Sequence, residues 1–76
     1  MEFEDALSAI KVNGNNRFTR RGWNGPNQYI TLAPRLLHHG VDVDFLILVN
    51  SYGVRAPWVP STGDLFAIDW EEVVHV

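Results

Sequence analysis

Two segments of the 76-residue chain combine residue types that can hold an anionic, ring-bearing ligand. The first is Arg20-Arg21-Gly22-Trp23-Asn24-Gly25 and the second is Pro57-Trp58-Val59-Pro60-Ser61-Thr62-Gly63-Asp64. An indole face beside guanidinium and amide groups can stack a purine, hydrogen-bond its edge and neutralise a phosphate, and stacking is worth about 1 to 3 kcal/mol per base. Three tryptophans in so short a chain also suit a thin core. Strand alternation puts Trp70 on the face of Val74 and Val76, which favours a core role for it. Trp23 and Trp58, flanked by turns and polar residues, fit either role.

Catalytic patterns are weak. Asp42 and Asp44 lie two apart and Glu71 and Glu72 are adjacent, and neither pair combines with a histidine at a metal-ligand spacing. His38, His39 and His75 have no serine nucleophile motif around them. Gly22 and Gly25 lack the strand-to-helix context and the following Lys-Ser or Lys-Thr of a phosphate-cradling loop. The expectation is a protein that is not an enzyme and carries no metal or cofactor.

The elements that must position these segments follow from periodicity. Phe3, Ala6, Leu7 and Ile10 fall on one face of a helix running roughly from Glu2 to Lys11, with acids in its first turn and a base in its last, as the helix dipole prefers. Asn13 to Asn16 break it in residues that tolerate positive φ. Strands are expected over Phe18 to Trp23 and Gln28 to Ala33, joined by a turn at Asn24-Gly25-Pro26 and ended by Pro34. In an extended segment Arg20 and Arg21 face opposite sides, so one of them at most meets a given ligand. Residues 35 to 43 read as a loop at a sheet edge. Phe45 to Val49 is a continuous apolar run and is expected to be the central strand, covered on both faces. Ser51-Tyr52-Gly53 turns the chain into a strand over Val54 to Val59, interrupted by Pro57. Ser61 and Asp64 have capping-box spacing, and a short helical turn over Leu65 to Ile68 follows. Trp70 to Val76 closes the chain as a strand. This order predicts an α+β fold, an N-terminal helix packed on a small antiparallel sheet, in one domain spanning 1–76.

Composition bounds the rest. The chain is 46% hydrophobic and 20% charged, the balance of a folded protein. It has no cysteine, so disulfides cannot supplement a core worth only about 3 to 5 kcal/mol, and self-association is the expected substitute. Acids near the first residue argue against a signal peptide, and the longest apolar run is far short of the roughly 20 residues that span a bilayer, so a cytoplasmic protein without a membrane partner is expected. The net charge is −3, yet Lys11, Arg17, Arg20, Arg21 and Arg35 are five of the six basic residues and no acid lies between Asp5 and Asp42. That disfavours polymeric nucleic acid and leaves room for a small anion.

The basic-Gly-Trp-Asn-Gly segment, the Pro-Trp-Val-Pro-Ser-Thr-Gly-Asp-Leu-Phe-Ala-Ile-Asp-Trp segment, the helix before them and the acidic-aliphatic tail together resemble the Thoeris anti-defence sponges, a small phage-rich domain family. The resemblance spans nearly the whole chain. It implies a homo-oligomer, a tetramer or a dimer, acting in the cytoplasm of an infected bacterial cell. There it would bind glyco-cyclic ADP-ribose, and in some relatives cyclic dinucleotides, in pockets shared between subunits, without cleaving it. Carried over by motif, Trp23 and Asn24 supply stacking and an amide, Trp58 a second aromatic wall, and Ser61 and Asp64 hydrogen bonds to ribose or base. Asp69 and Trp70 are further candidates, and Arg20 or Arg21 meets the pyrophosphate. Ligand-stacking roles imply that Trp23→Ala abolishes binding and barely moves the melting temperature. Two other readings are a protein-interaction module with tryptophan anchors and a small nucleotide hydrolase.

Overall fold

A computed structural model of the chain describes residues 1–23, 27–34, 40 and 43–73. Helix α1 (Phe3–Val12) is followed by strands β1 (Phe18–Arg20), β2 (Tyr29–Leu32), β3 (Leu46–Val49) and β4 (Arg55–Pro57), helix α2 (Thr62–Phe66) and strand β5 (Trp70–Glu72). The strands make one antiparallel sheet in the order β4-β3-β2-β1-β5. The α+β class with its N-terminal helix on an antiparallel sheet is as expected.

α1 forms where the apolar spacing places it. Phe3, Ala6 and Ile10 are buried on one side, and the Asp5 carboxylate accepts the Glu2 N–H at 3.3 Å to close the first turn. These residues meet Phe18, Ile30 and Trp70 from the sheet, and Leu7, Leu46 and Leu48 pack at the border of this core. The opposite face of the sheet carries a smaller cluster of Ala33, Ile47 and Val49 beside Tyr29 and Phe45. Within β3, Ile47 and Val49 therefore face one side and Leu46 and Leu48 the other, so both faces of the strand are apolar.

The structure corrects three expectations. β3 is an inner strand, but the middle of the sheet is β2, because β1 pairs with both β2 and β5 and moves the centre towards the N-terminal strands. β1 ends at Arg20 rather than Trp23, since the chain folds back there: the Trp23 N–H donates to the Arg20 carbonyl at 3.1 Å. α2 begins at Thr62 and ends at Phe66, a few residues earlier than the helical turn expected over Leu65 to Ile68. The Ser61 cap fixes its start, and Ala67 is already extended. The loop expected over 35–43 falls almost wholly outside the described residues, as do the turn expected at Asn24-Gly25-Pro26 and residues 74–76, where the closing strand is expected to end.

Candidate polar and aromatic site

One patch gathers most of the singled-out residues. β1 delivers Arg20 towards α2, where Nη1 donates to Asp64 Oδ1 and Nε donates to Asp69 Oδ1, both at 2.9 Å. Asp64 lies at the third position of α2, so its N–H donates to Ser61 Oγ at 3.2 Å while its Oδ2 accepts the Ser61 N–H and hydroxyl, each at 2.9 Å. Its Oδ1 also accepts the Trp23 Nε1–H at 3.3 Å. Asp69, just before β5, accepts the Gly22 N–H on Oδ2 at 2.8 Å, which fixes the turn after β1. The Trp70 indole N–H donates to the Asp64 carbonyl oxygen at 2.9 Å. Thus an arginine, two aspartates and two indoles from three separate stretches of chain share one network.

The electrostatics follow from these bonds. Burial pushes the Asp64 carboxyl up, but the Ser61 N–H, the Arg20 guanidinium, the Ser61 hydroxyl and the Trp23 indole outweigh it and hold its pKa below the ordinary aspartate value. Asp69 is lowered as well, first by Arg20 and then, against some burial, by the Gly22 N–H. Arg20 is raised by the hydrogen bonds from its side chain to Asp69 and Asp64. Both carboxylates are therefore ionised near neutral pH and committed to donors, which makes them poor general bases.

The aromatic side of the patch is packed. The Trp23 ring lies edge-on to Trp70 and Trp58 at 5.2 and 6.1 Å, and Phe3 of α1 lies 5.3 Å from Trp70 and 6.0 Å from Trp58. Trp70 is only 2% exposed and is core, as expected for it. Trp23 and Trp58 are half-buried against that core. They are walls first, with part of each ring outward, so the expectation that Trp23→Ala would leave the melting temperature nearly unchanged does not fit this packing.

Of the expected ligand-binding residues, the fold brings together Arg20, Trp23, Trp58, Ser61, Asp64 and Asp69. Arg21 stands apart: its side chain is 78% exposed and 3.8 Å from Glu71. Asn24 lies outside the described residues. Sequence reasoning missed Phe3 and the Gly22 N–H as parts of the patch. Phe3 has only the signature of a core residue, and a backbone donor leaves no signature at all.

Several apolar side chains close to the patch in the chain are exposed. Leu65, Phe66 and Ile68, between Asp64 and Asp69 in the chain, are 48%, 81% and 76% exposed, and Val59 is 84% exposed. Among the described residues no group of three His, Cys, Asp or Glu side chains is placed to hold a metal. No helix among them is long and apolar enough to cross a membrane.

Comparison with known proteins adds one match. Residues 1–73 fit the family model of the Tad2-like, or Thoeris anti-defense 2-like, domain. A search of the curated proteins finds no match to the chain.

Proposed function

The chain belongs to the Thoeris anti-defense 2-like domain family, which supports a Thoeris anti-defense role, and from that premise we propose that it acts by sequestration. It holds a cyclic nucleotide immune signal, glyco-cyclic ADP-ribose first and cyclic dinucleotides second, and does not cleave it. The observation that carries this reading is the convergence of Arg20, Trp23, Trp58, Ser61, Asp64 and Asp69 on one patch whose acids are already paired. Such a patch offers ring faces, donors and a cation for binding without a free base for hydrolysis. The two bonds of Arg20 use Nε and Nη1, which leaves Nη2 to meet a pyrophosphate.

An open patch on one chain does not enclose a nucleotide. The exposed Leu65, Phe66 and Ile68 beside it supply the apolar surface through which a second subunit would close it, in a homodimer or homotetramer. Competition with a signalling receptor in the cytoplasm of an infected cell calls for nanomolar affinity, about 12 kcal/mol, which a shared and buried pocket supplies more readily than an open one.

Calorimetry with glyco-cyclic ADP-ribose, paired with the oligomer mass in the same buffer, tests the reading. Heat with fewer than one ligand per chain, and intact ligand recovered after denaturation, is the expected result. Absence of heat from an intact oligomer would sink the assignment. The same exposed Val59, Phe66 and Ile68 favour one second reading, a protein-interaction module, which predicts capture of another protein and no nucleotide heat.

A further inference from the structure

The backbone does not call for glycine at position 22. Gly22 is exposed in the turn after β1 and lies outside the left-handed region that favours glycine. What excludes a side chain there is Asp69. A Cβ on Gly22 would stand 3.0 Å from Asp69 Oδ2, and the other atom it would approach among the described residues is Arg20 Nη2, at 3.8 Å. Without that Cβ, Oδ2 comes in to accept the Gly22 N–H at 2.8 Å.

Asp69 in fact meets three successive residues of the segment that leads to Trp23. Its Oδ1 accepts from Arg20 Nε at 2.9 Å, its backbone carbonyl accepts the Arg21 N–H at 3.2 Å, and its Oδ2 takes the Gly22 N–H. The Trp23 N–H then closes the turn onto the Arg20 carbonyl at 3.1 Å, and the indole N–H reaches Asp64 Oδ1 at 3.3 Å. One half-buried residue therefore sets where the indole stands and how the Arg20 fork is turned, with Nη2 on the Gly22 side. A stacking wall and a forked cation serve a ligand only when a supporting shell of bonds locks them in place.

We infer that Asp69 is a positioning residue: acting through Gly22 and Arg20, it places the Trp23 ring and the Arg20 guanidinium and does not itself touch the ligand. This rests on the ligand-wall role proposed above for Trp23. The family resemblance makes Asp69 a ligand contact, whereas its bonds make it a support, since each carboxylate oxygen is already committed to a donor of the turn. Gly22 belongs to the same device, as the residue that lets the carboxylate in.

Calorimetry with glyco-cyclic ADP-ribose, together with the indole N–H resonances of the isotope-labelled full chain, tests this. Asp69→Ala is expected to weaken the ligand about tenfold, the size of one lost charge-assisted bond. It should also move the Trp23 indole resonance and leave that of Trp70, which is bonded to the Asp64 carbonyl in the core. Gly22→Ala keeps both aspartates and is expected to do the same. Added to Asp69→Ala it should cost nothing more, because its Cβ no longer meets a carboxylate. Asp69→Asn still offers an oxygen to the Gly22 N–H and is expected to recover most of the affinity that Asp69→Ala loses. Affinity lost with the Trp23 resonance unmoved would make Asp69 a direct ligand contact, and additive losses from Gly22→Ala and Asp69→Ala would make the two residues independent. Either result overturns the inference, as does unchanged binding in Asp69→Ala. No heat from the unaltered chain would instead end the sequestration reading, and the Trp23 resonance in Gly22→Ala and Asp69→Ala would still decide whether Asp69 places the ring.

Discussion

Arg20 and Asp64, 44 residues apart in the chain, meet at 2.9 Å and join β1 to α2. The bond lies at a junction: Asp64 is 8% exposed, caps its own helix through Ser61 on Oδ2, and takes the Trp23 indole N–H on Oδ1, the oxygen that also accepts from Arg20. Removing Arg20 leaves that largely buried carboxylate short of its cation, and Asp69 with it. Arg20→Met should destabilise the protein by about 2 kcal/mol, the cost of stranding a largely buried charged group. Urea unfolding followed by tryptophan fluorescence reads it, and an unchanged midpoint would show the network to be decorative.

The same bonds set a pH dependence. Asp64 and Asp69 both titrate below their ordinary value in the folded protein, so their contribution is fully present above the unfolded carboxylate pKa, about 3.9. It is lost as the pH falls from there through their lower folded values. Urea midpoints measured from pH 7 down to 2.5 should be flat with respect to these groups until about pH 4 and then fall. In Arg20→Met the fall should be shallower. Parallel acid limbs in the two proteins would contradict the assignment.

Trp23 separates packing from binding only if the replacement keeps the wall. Trp23→Ala should cost about 3 kcal/mol because it opens a gap against Trp58 and Trp70 and removes the indole donor to Asp64. Trp23→Phe keeps most of the wall and should cost about 1 kcal/mol. If ring stacking on Trp23 holds the nucleotide, Trp23→Phe should weaken calorimetric binding while the thermal midpoint falls only slightly.

Ser61→Ala removes the hydroxyl that accepts the Asp64 N–H and donates to the Asp64 carboxylate. Loss of a cap of this kind costs about 1 kcal/mol. In a domain of this size that is about 4 to 8 °C in melting temperature, read by calorimetric scanning. A five-residue helix has little else to fix its start.

Phe66→Glu and Ile68→Glu probe the exposed apolar surface beside the patch. Both side chains are mostly in water in the single chain, so stability of the isolated fold should change by less than about 0.5 kcal/mol. Sedimentation should nevertheless show a smaller species if subunits close the pocket through this surface. An unchanged mass for both variants would place subunit association elsewhere.

Much of this was legible in the residues alone. The i, i+3, i+4, i+7 spacing of Phe3, Ala6, Leu7 and Ile10 fixes an amphipathic helix, because no other local geometry puts those side chains on one side. The Ser61 and Asp64 spacing fixes a helix start, since the two orphan donors there are satisfied locally. The continuous apolar run of Phe45 to Val49 marks a strand covered on both faces, and proline on the exposed β4 fits an edge strand with no ladder bond to donate.

Tertiary structure decided what those local signals cannot carry. Whether β3 or β2 lies at the centre depends on β1 choosing both β2 and β5 as neighbours, a pairing between residues such as Arg20 and Trp70 that no local periodicity encodes. The roles of Arg20 and Arg21 diverge for the same reason. Adjacent in sequence and alike in chemistry, one turns to two aspartates brought from the far end of the chain and the other to solvent and Glu71. Sequence set which groups can bond and stack, because that is a property of residue type. Long-range strand pairing set which of them meet, because distance in space is fixed only when the sheet closes.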